Sequence, residues 1–267
     1  MSSIDQVFAD LRAQNRKAFI PFVTAGDPSL DVTSAALKEL SKRGGSVCEL
    51  GIPYSDPIAD GPVIQASYTR ALQRKIKLSQ ILEMAGKTTP EMSAPLVTMV
   101  SYAIIHRHGT EQYIQDAKAA GIAGAIVPDL LVEESGDFAK ICQANDFSLI
   151  QLVTPTTSRE RAMRIAETST GFIYYVSVAG ITGERTQLPP DLLDNVSWLR
   201  SQTKVPICIG FGISQPEHVR TLKKVADGVI VGSAIVRRMG EIGEKSEEQV
   251  IDEIGDYAET LIEALNE

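Results

Sequence analysis

The chain has 267 residues, 43% of them hydrophobic, with 34 acidic against 26 basic residues for a formal net charge of −8. That is enough apolar material for one core of the size an α/β barrel of about 250 residues needs, and the acidic balance argues against nucleic acid or an anionic membrane as main partner. No apolar run approaches the roughly 18 residues of a membrane span, and the first residues carry neither a basic start nor an apolar h-region, so a cytoplasmic protein is expected.

Residues 3–6 (SIDQ) read as a capping box, after which Ile4, Val7, Phe8 and Leu11 share one face of a helix expected to cover the bottom of a barrel. Short apolar runs then alternate with amphipathic stretches. Strands are expected at 18–23, 47–51, 95–100, 124–127, 148–153, 171–176, 206–209 and 228–231, with helices at 32–41, 112–120, 137–143, 161–166 and 217–225 among others. The eight runs are nearly continuous in hydrophobicity, as strands of a parallel sheet covered on both faces are. Each leads into a helical pattern. This predicts a (β/α)8 TIM barrel over 1–267 in a single domain, with extra N-terminal and C-terminal helices, rather than an open doubly wound sheet. The last helix opens at a cap pattern over 246–249 and is striped by Val250, Ile254, Tyr257, Leu261 and Leu265.

Cys48, Cys142 and Cys208 form no CxxC pair and read as small buried hydrophobes in a reducing compartment. His106 and His108 read as surface-loop residues and His218 as part of a polar helix start, so no metal site is expected.

The chemistry concentrates where the second strand ends. Glu49 closes an apolar run, and burial there should raise its pKa, whereas Asp60, beside Gly61 in a polar loop, is expected to stay ionised. Two carboxyls held in different protonation states can serve as an acid and an anion. Each residue alone has an ordinary reading, since Asp56-Pro57 and Asp60-Gly61 are turn formers and Pro62 suits a helix start. Two connections, 52–62 and 177–190, are long for a barrel, and the second is a candidate lid. Barrels often hold phosphate on the loops after strands seven and eight. Here these carry Gly210, Gly212, Gly232 and Ser233 with no adjacent Lys or Arg, and Gly183 is a candidate third element, so largely neutral backbone dipoles would receive the charge.

The strings PFVTAGDP at 21–28, ELGIPYSDPIADGP at 49–62, VPD at 127–129, YYVS at 174–177, GITG at 180–183, GFGI at 210–213 and GS at 232–233 together resemble the tryptophan synthase alpha subunit over nearly the whole chain. The 49–62 string is the most specific of them. The resemblance implies retro-aldol cleavage of indole-3-glycerol phosphate to indole and glyceraldehyde 3-phosphate, with Glu49 as acid/base and Asp60 assisting. It implies that Phe22, Tyr174 and Phe211 border the indole or propanol part, and that Thr182 positions Asp60. It also implies no metal or organic cofactor in this chain, and a pyridoxal-phosphate-dependent beta subunit as partner in an alpha2-beta2 assembly, faced by the Asp56 loop. The chain departs from the family pattern at Ile104-Ile105, where Asn-Pro is common, and at Tyr54, usually phenylalanine. Rival readings are a sugar-phosphate isomerase, a free-standing indole-releasing lyase, and an idle barrel that only activates a beta subunit. Against the isomerase, the fifth strand ends in Val153-Thr154-Pro155 without a carboxylate.

Overall fold

The computed structural model describes residues 2–57, 60–177, 189, 191–210 and 212–267. It opens with α1 (Ser3–Ala13), whose capping box lies one residue before the predicted one. Ser2 Oγ accepts from the Asp5 N–H at 3.2 Å, and the Asp5 carboxylate accepts from the Ser2 N–H at 3.0 Å. A charged carboxylate at the third helical position makes the stronger return bond. Gln6 bonds Asp10 instead. Buried Ile4 and Phe8 face the sheet, the Phe8 ring centroid 5.8 Å from that of Phe172, and Ser148 Oγ donates to Ser2 Oγ. The helix therefore sits at the N-terminal ends of the strands.

The strands are β1 (Ala18–Thr24), β2 (Cys48–Gly51), β3 (Leu96–Met99), β4 (Ile122–Ile126), β5 (Ser148–Ile150), β6 (Leu152–Val153), β7 (Ile173–Val176), β8 (Ile207–Gly210) and β9 (Gly228–Val231). All pair in parallel, in the order β5-β4-β3-β2-β1-β9-β8-β7-β6. The expected fifth strand is thus two pieces at the two ends of the sheet, with only Gln151 between them. Its first half pairs with β4 and its second with β7. A strand that changes neighbours in this way closes a sheared sheet, so the nine pieces make the predicted eight-stranded barrel.

The helices are α2 (Leu30–Lys42), α3 (Pro62–Gln73), α4 (Leu78–Thr88), α5 (Tyr102–His108), α6 (Thr110–Ala119), α7 (Gly136–Ala144), α8 (Arg159–Thr168), α9 (Leu192–Gln202), α10 (Pro216–Leu222), α11 (Ser233–Met239) and α12 (Glu247–Asn266). Strand alternation divides the core in two. Phe19, Val23, Cys48, Leu50, Ile207 and Ile209 pack outward under the helices. Ala18, Ile20, Phe22, Val97, Met99, Tyr174 and Ile230 fill the lumen. The C-terminal helix is held partly by one residue: Arg43 bonds Glu39, Asp252, Asp256 and Glu259 at 2.6–2.8 Å.

All three cysteines are buried and free. His106 and His108 lie in the last turn of α5, not in a loop, because the chain turns only at Gly109 with its φ of +96°. His108 Nε2 lies 2.7 Å from Asp116. His218 begins α10 as expected but is buried. Among the described residues no cluster of side chains could hold a metal ion, and no helix is long and apolar enough to cross a membrane.

Candidate active site

Glu49 owes its position to strand register. Its neighbours Cys48 and Leu50 face the helices, so Glu49 faces the lumen, paired with Phe22 on one side and Val97 on the other. It is 0% exposed, and neither carboxyl oxygen has a hydrogen-bond partner among the described residues. Burial, and then the charge of Asp60, pushes its pKa up to about 8. Two residues on, Gly51 leaves room above it: a Cβ there would run into the Phe22 ring.

Asp60 departs from expectation. It is only 8% exposed, and burial raises its pKa to about 6. The loop folds inward rather than out: the Asp60 N–H donates to the Pro57 carbonyl at 3.0 Å, and Gln65 of α3 donates to the Asp60 carbonyl at 2.7 Å. Near neutral pH the pair still differs in protonation, Glu49 mainly neutral and Asp60 mainly charged. Pro62 stands at the first position of α3, as predicted, and turns Ile64 into the site. The β1 end is braced by Arg70 of α3, which binds Asp27 through two bonds of 2.8 and 2.6 Å.

A cleft of about 470 Å³, including its open mouth, brings together Phe22, Glu49, Asp60, Tyr174, Gly212, Gly232 and Ser233 with Ile64, Met99, Ile213 and Ile230. The last four, its aliphatic walls, were not singled out from the sequence, although two of them, Met99 and Ile230, are lumen-facing strand positions that alternation could have found. Gly212 has a φ of +75°, which a side chain would strain. Gly232 lies against Phe22, where a Cβ would make ordinary van der Waals contact at 3.4 Å, so packing there does not demand a glycine. Gly210 does not line the cleft. Ending β8, it makes room for the Tyr174 phenol, which a Cβ would strike. Thr182, Gly183 and Phe211, and the 178–188 part of the expected lid, lie outside the described residues. Asp56 is exposed on the β2–α3 loop, and its carboxylate accepts from Ser55 Oγ at 2.9 Å. Ile104 and Ile105 fall within α5, whose start is tied to Asp129 through Ser101 Oγ at 2.6 Å and the Tyr102 N–H at 2.7 Å.

A closed parallel barrel with its polar groups gathered at the C-terminal ends of the strands defines an enzyme subunit of the α/β-barrel class. The family model of the tryptophan synthase alpha chain matches residues 8–266. The chain is 54% identical to the tryptophan synthase alpha chain of Rhodopirellula baltica over 276 aligned positions, spanning 100% of this chain and 99% of that one. Among solved structures it is similar to the tryptophan synthase alpha chain of Legionella pneumophila, with TM-score 0.87, 32% identity, and 99% and 97% of the two chains covered. It is also similar to a chain from the tryptophan synthase α2β2 complex of Pyrococcus furiosus, with TM-score 0.85, 36% identity, and 93% and 99% covered. The chain belongs to the tryptophan synthase alpha chain family.

Proposed function

We propose that this chain, acting as one barrel domain, cleaves indole-3-glycerol phosphate to indole and glyceraldehyde 3-phosphate. Glu49 carries the reading: a carboxyl wholly out of water, unbonded on both oxygens among the described residues and protonated near neutrality, next to a second carboxyl that is charged. Such a group has no evident structural task and is poised to give up a proton. The Glu49 proton passes to indole C3, leaving positive charge on the ring that extends to the N–H. Asp60 accepts from that N–H and stabilises the charge in a site with little water. The bond from C3 to the carbinol carbon then breaks, its electron pair restoring the indole ring. The carbinol hydroxyl gives its proton to the Glu49 carboxylate and becomes the aldehyde, so Glu49 ends as it began. The protonated indole ring is itself the electron sink, and the step calls for no metal or organic cofactor. Phe22 and Tyr174, with Ile64 and Met99, would flank the indole; Gly212, Gly232 and Ser233 would present N–H and hydroxyl groups to the phosphate.

The product is apolar and crosses apolar barriers readily, so we further propose that the cleft mouth docks on a pyridoxal-phosphate-dependent beta subunit that consumes indole, in an α2β2 assembly in the cytoplasm, with the exposed Asp56 loop at the contact. The Pyrococcus furiosus relative belongs to an α2β2 complex that shows mutual activation, which supports this reading. The test is to measure indole release by the purified chain alone and with a beta subunit, together with complex size. Indole release that rises in a stable complex is expected. A chain that forms the complex but releases no indole in either setting would overturn the catalytic assignment.

A further inference from the structure

At the top of the lumen, three buried side-chain atoms have no hydrogen-bond partner among the described residues: both Glu49 carboxyl oxygens and Tyr68 Oη. Buried polar groups are paired in the great majority of cases, and a bare hydroxyl lowers stability, so such a cluster marks space kept for something polar. The proposed chemistry uses Glu49 and leaves Tyr68 unexplained. Tyr68 lies one helical turn beyond Ile64, the α3 residue that lines the cleft, and sits just behind that lining, 1% exposed. Its ring packs on Tyr54 with centroids 5.6 Å apart. Its hydroxyl reaches across to β2, where a Cβ on Gly51 would lie 2.9 Å from it. Gly51 follows Glu49 by two residues on the same lumen face, about 6–7 Å nearer the mouth. The phenol oxygen therefore stands beside Gly51, on the mouth side of Glu49 along β2. Burial first, and the charge of Asp60 next, hold the phenol well above its ordinary pKa, so its proton stays in place at working pH.

We propose that Tyr68 donates its O–H to the substrate's carbinol oxygen, at the carbon–carbon bond that breaks. This rests on the retro-aldol reading above. The phenol occupies one lone pair of that oxygen and turns the carbinol hydroxyl toward the Glu49 carboxylate. It keeps its own proton while the Glu49 carboxylate takes the carbinol proton and the oxygen becomes the aldehyde carbonyl. Tyr68 thus adds a hydrogen-bonding group to the site that none of the sequence motifs pointed to.

Tyr68→Phe removes the hydroxyl and leaves the ring. The expected result is a kcat for indole release lowered about tenfold, the size of one uncharged hydrogen bond, with KM changed less. Affinity for indole-3-propanol phosphate, which lacks the carbinol hydroxyl, should not change by calorimetry. The thermal midpoint should rise, because the variant no longer buries a bare hydroxyl. Full turnover in Tyr68→Phe overturns the assignment. So does an equal loss of affinity for the propanol analogue, which would mean a packing effect, or a lowered midpoint, which would mean a structural bond. If the unsubstituted chain releases no indole, the reaction itself is refuted and this assignment falls with it, an outcome read before any variant is made.

Discussion

Glu49→Gln should raise stability near neutral pH while it abolishes indole release, and the two effects have one cause. The Glu49 pKa rises from an ordinary 4.5 when unfolded to about 8 when folded. Below 4.5 both states hold the proton and the carboxyl imposes no pH-dependent penalty. As pH rises from there, the unfolded chain gives up its proton freely while the folded chain cannot, so stability falls until the folded pKa is passed. Between pH 5 and 7 the wild-type chain should lose about 2–3 kcal/mol through this group, at 1.36 kcal/mol per pH unit. Glutamine has no proton to lose and keeps the shape, and Asp60 is common to both chains. Urea unfolding at pH 5, 6, 7 and 8 should therefore give wild-type and Glu49→Gln curves that diverge with pH. Indole release should fall by at least the roughly 10²–10⁴-fold of a lost general acid. Parallel stability profiles would refute the buried, protonated glutamate. Near-normal turnover in the variant would refute its role.

On the proposed chemistry, which needs Asp60 charged and Glu49 protonated, kcat/KM should be bell-shaped, falling below about 6 and above about 8. A rate that is flat from pH 5 to 9 would contradict this. Gly212→Asp places a strained, negatively charged residue at a φ of +75° beside the proposed phosphate site, and calorimetry should show affinity for phosphate-bearing analogues falling tenfold or more. Unchanged affinity would move the phosphate elsewhere. Arg70→Met leaves the Asp27 carboxylate, 2% exposed, without its two-bond partner, and should cost about 2–4 kcal/mol by urea unfolding, the low end reflecting the half-exposed arginine. Adding Asp27→Asn should recover part of that loss, and strictly additive losses would show the pair is not coupled.

The barrel was legible because its strands are buried on both faces and stand out as apolar runs; all eight lie within two residues of where the sequence put their starts. The break at Gln151 was not, since it depends on which neighbour each half of the strand meets around the closed sheet. Glu49 could be placed because its environment is set by the strand that carries it. Asp60 could not: its burial follows from a loop folding back on Pro57 and α3, and a Gly/Pro-rich string does not say which way a loop folds. Tyr68 was invisible for a similar reason. In sequence it is one more aromatic on an amphipathic helix, and only the Gly51 vacancy opposite shows where its hydroxyl ends.

β1 lies between β2 and β9, so the barrel's first strand has one neighbour that follows soon in the chain and another that comes about 200 residues later. Until β9 emerges, the nascent chain carries an open β1 edge and an unlidded apolar lumen face, the features that recruit chaperones or misassociate. Phe22 and Glu49 are present throughout this period, but Glu49 faces water and is ionised. When Ile230 and Gly232 arrive to complete the far wall, the carboxylate must take up a proton as the sheet shuts. The protonated glutamate that the proposed chemistry needs thus depends on the last strand of the barrel.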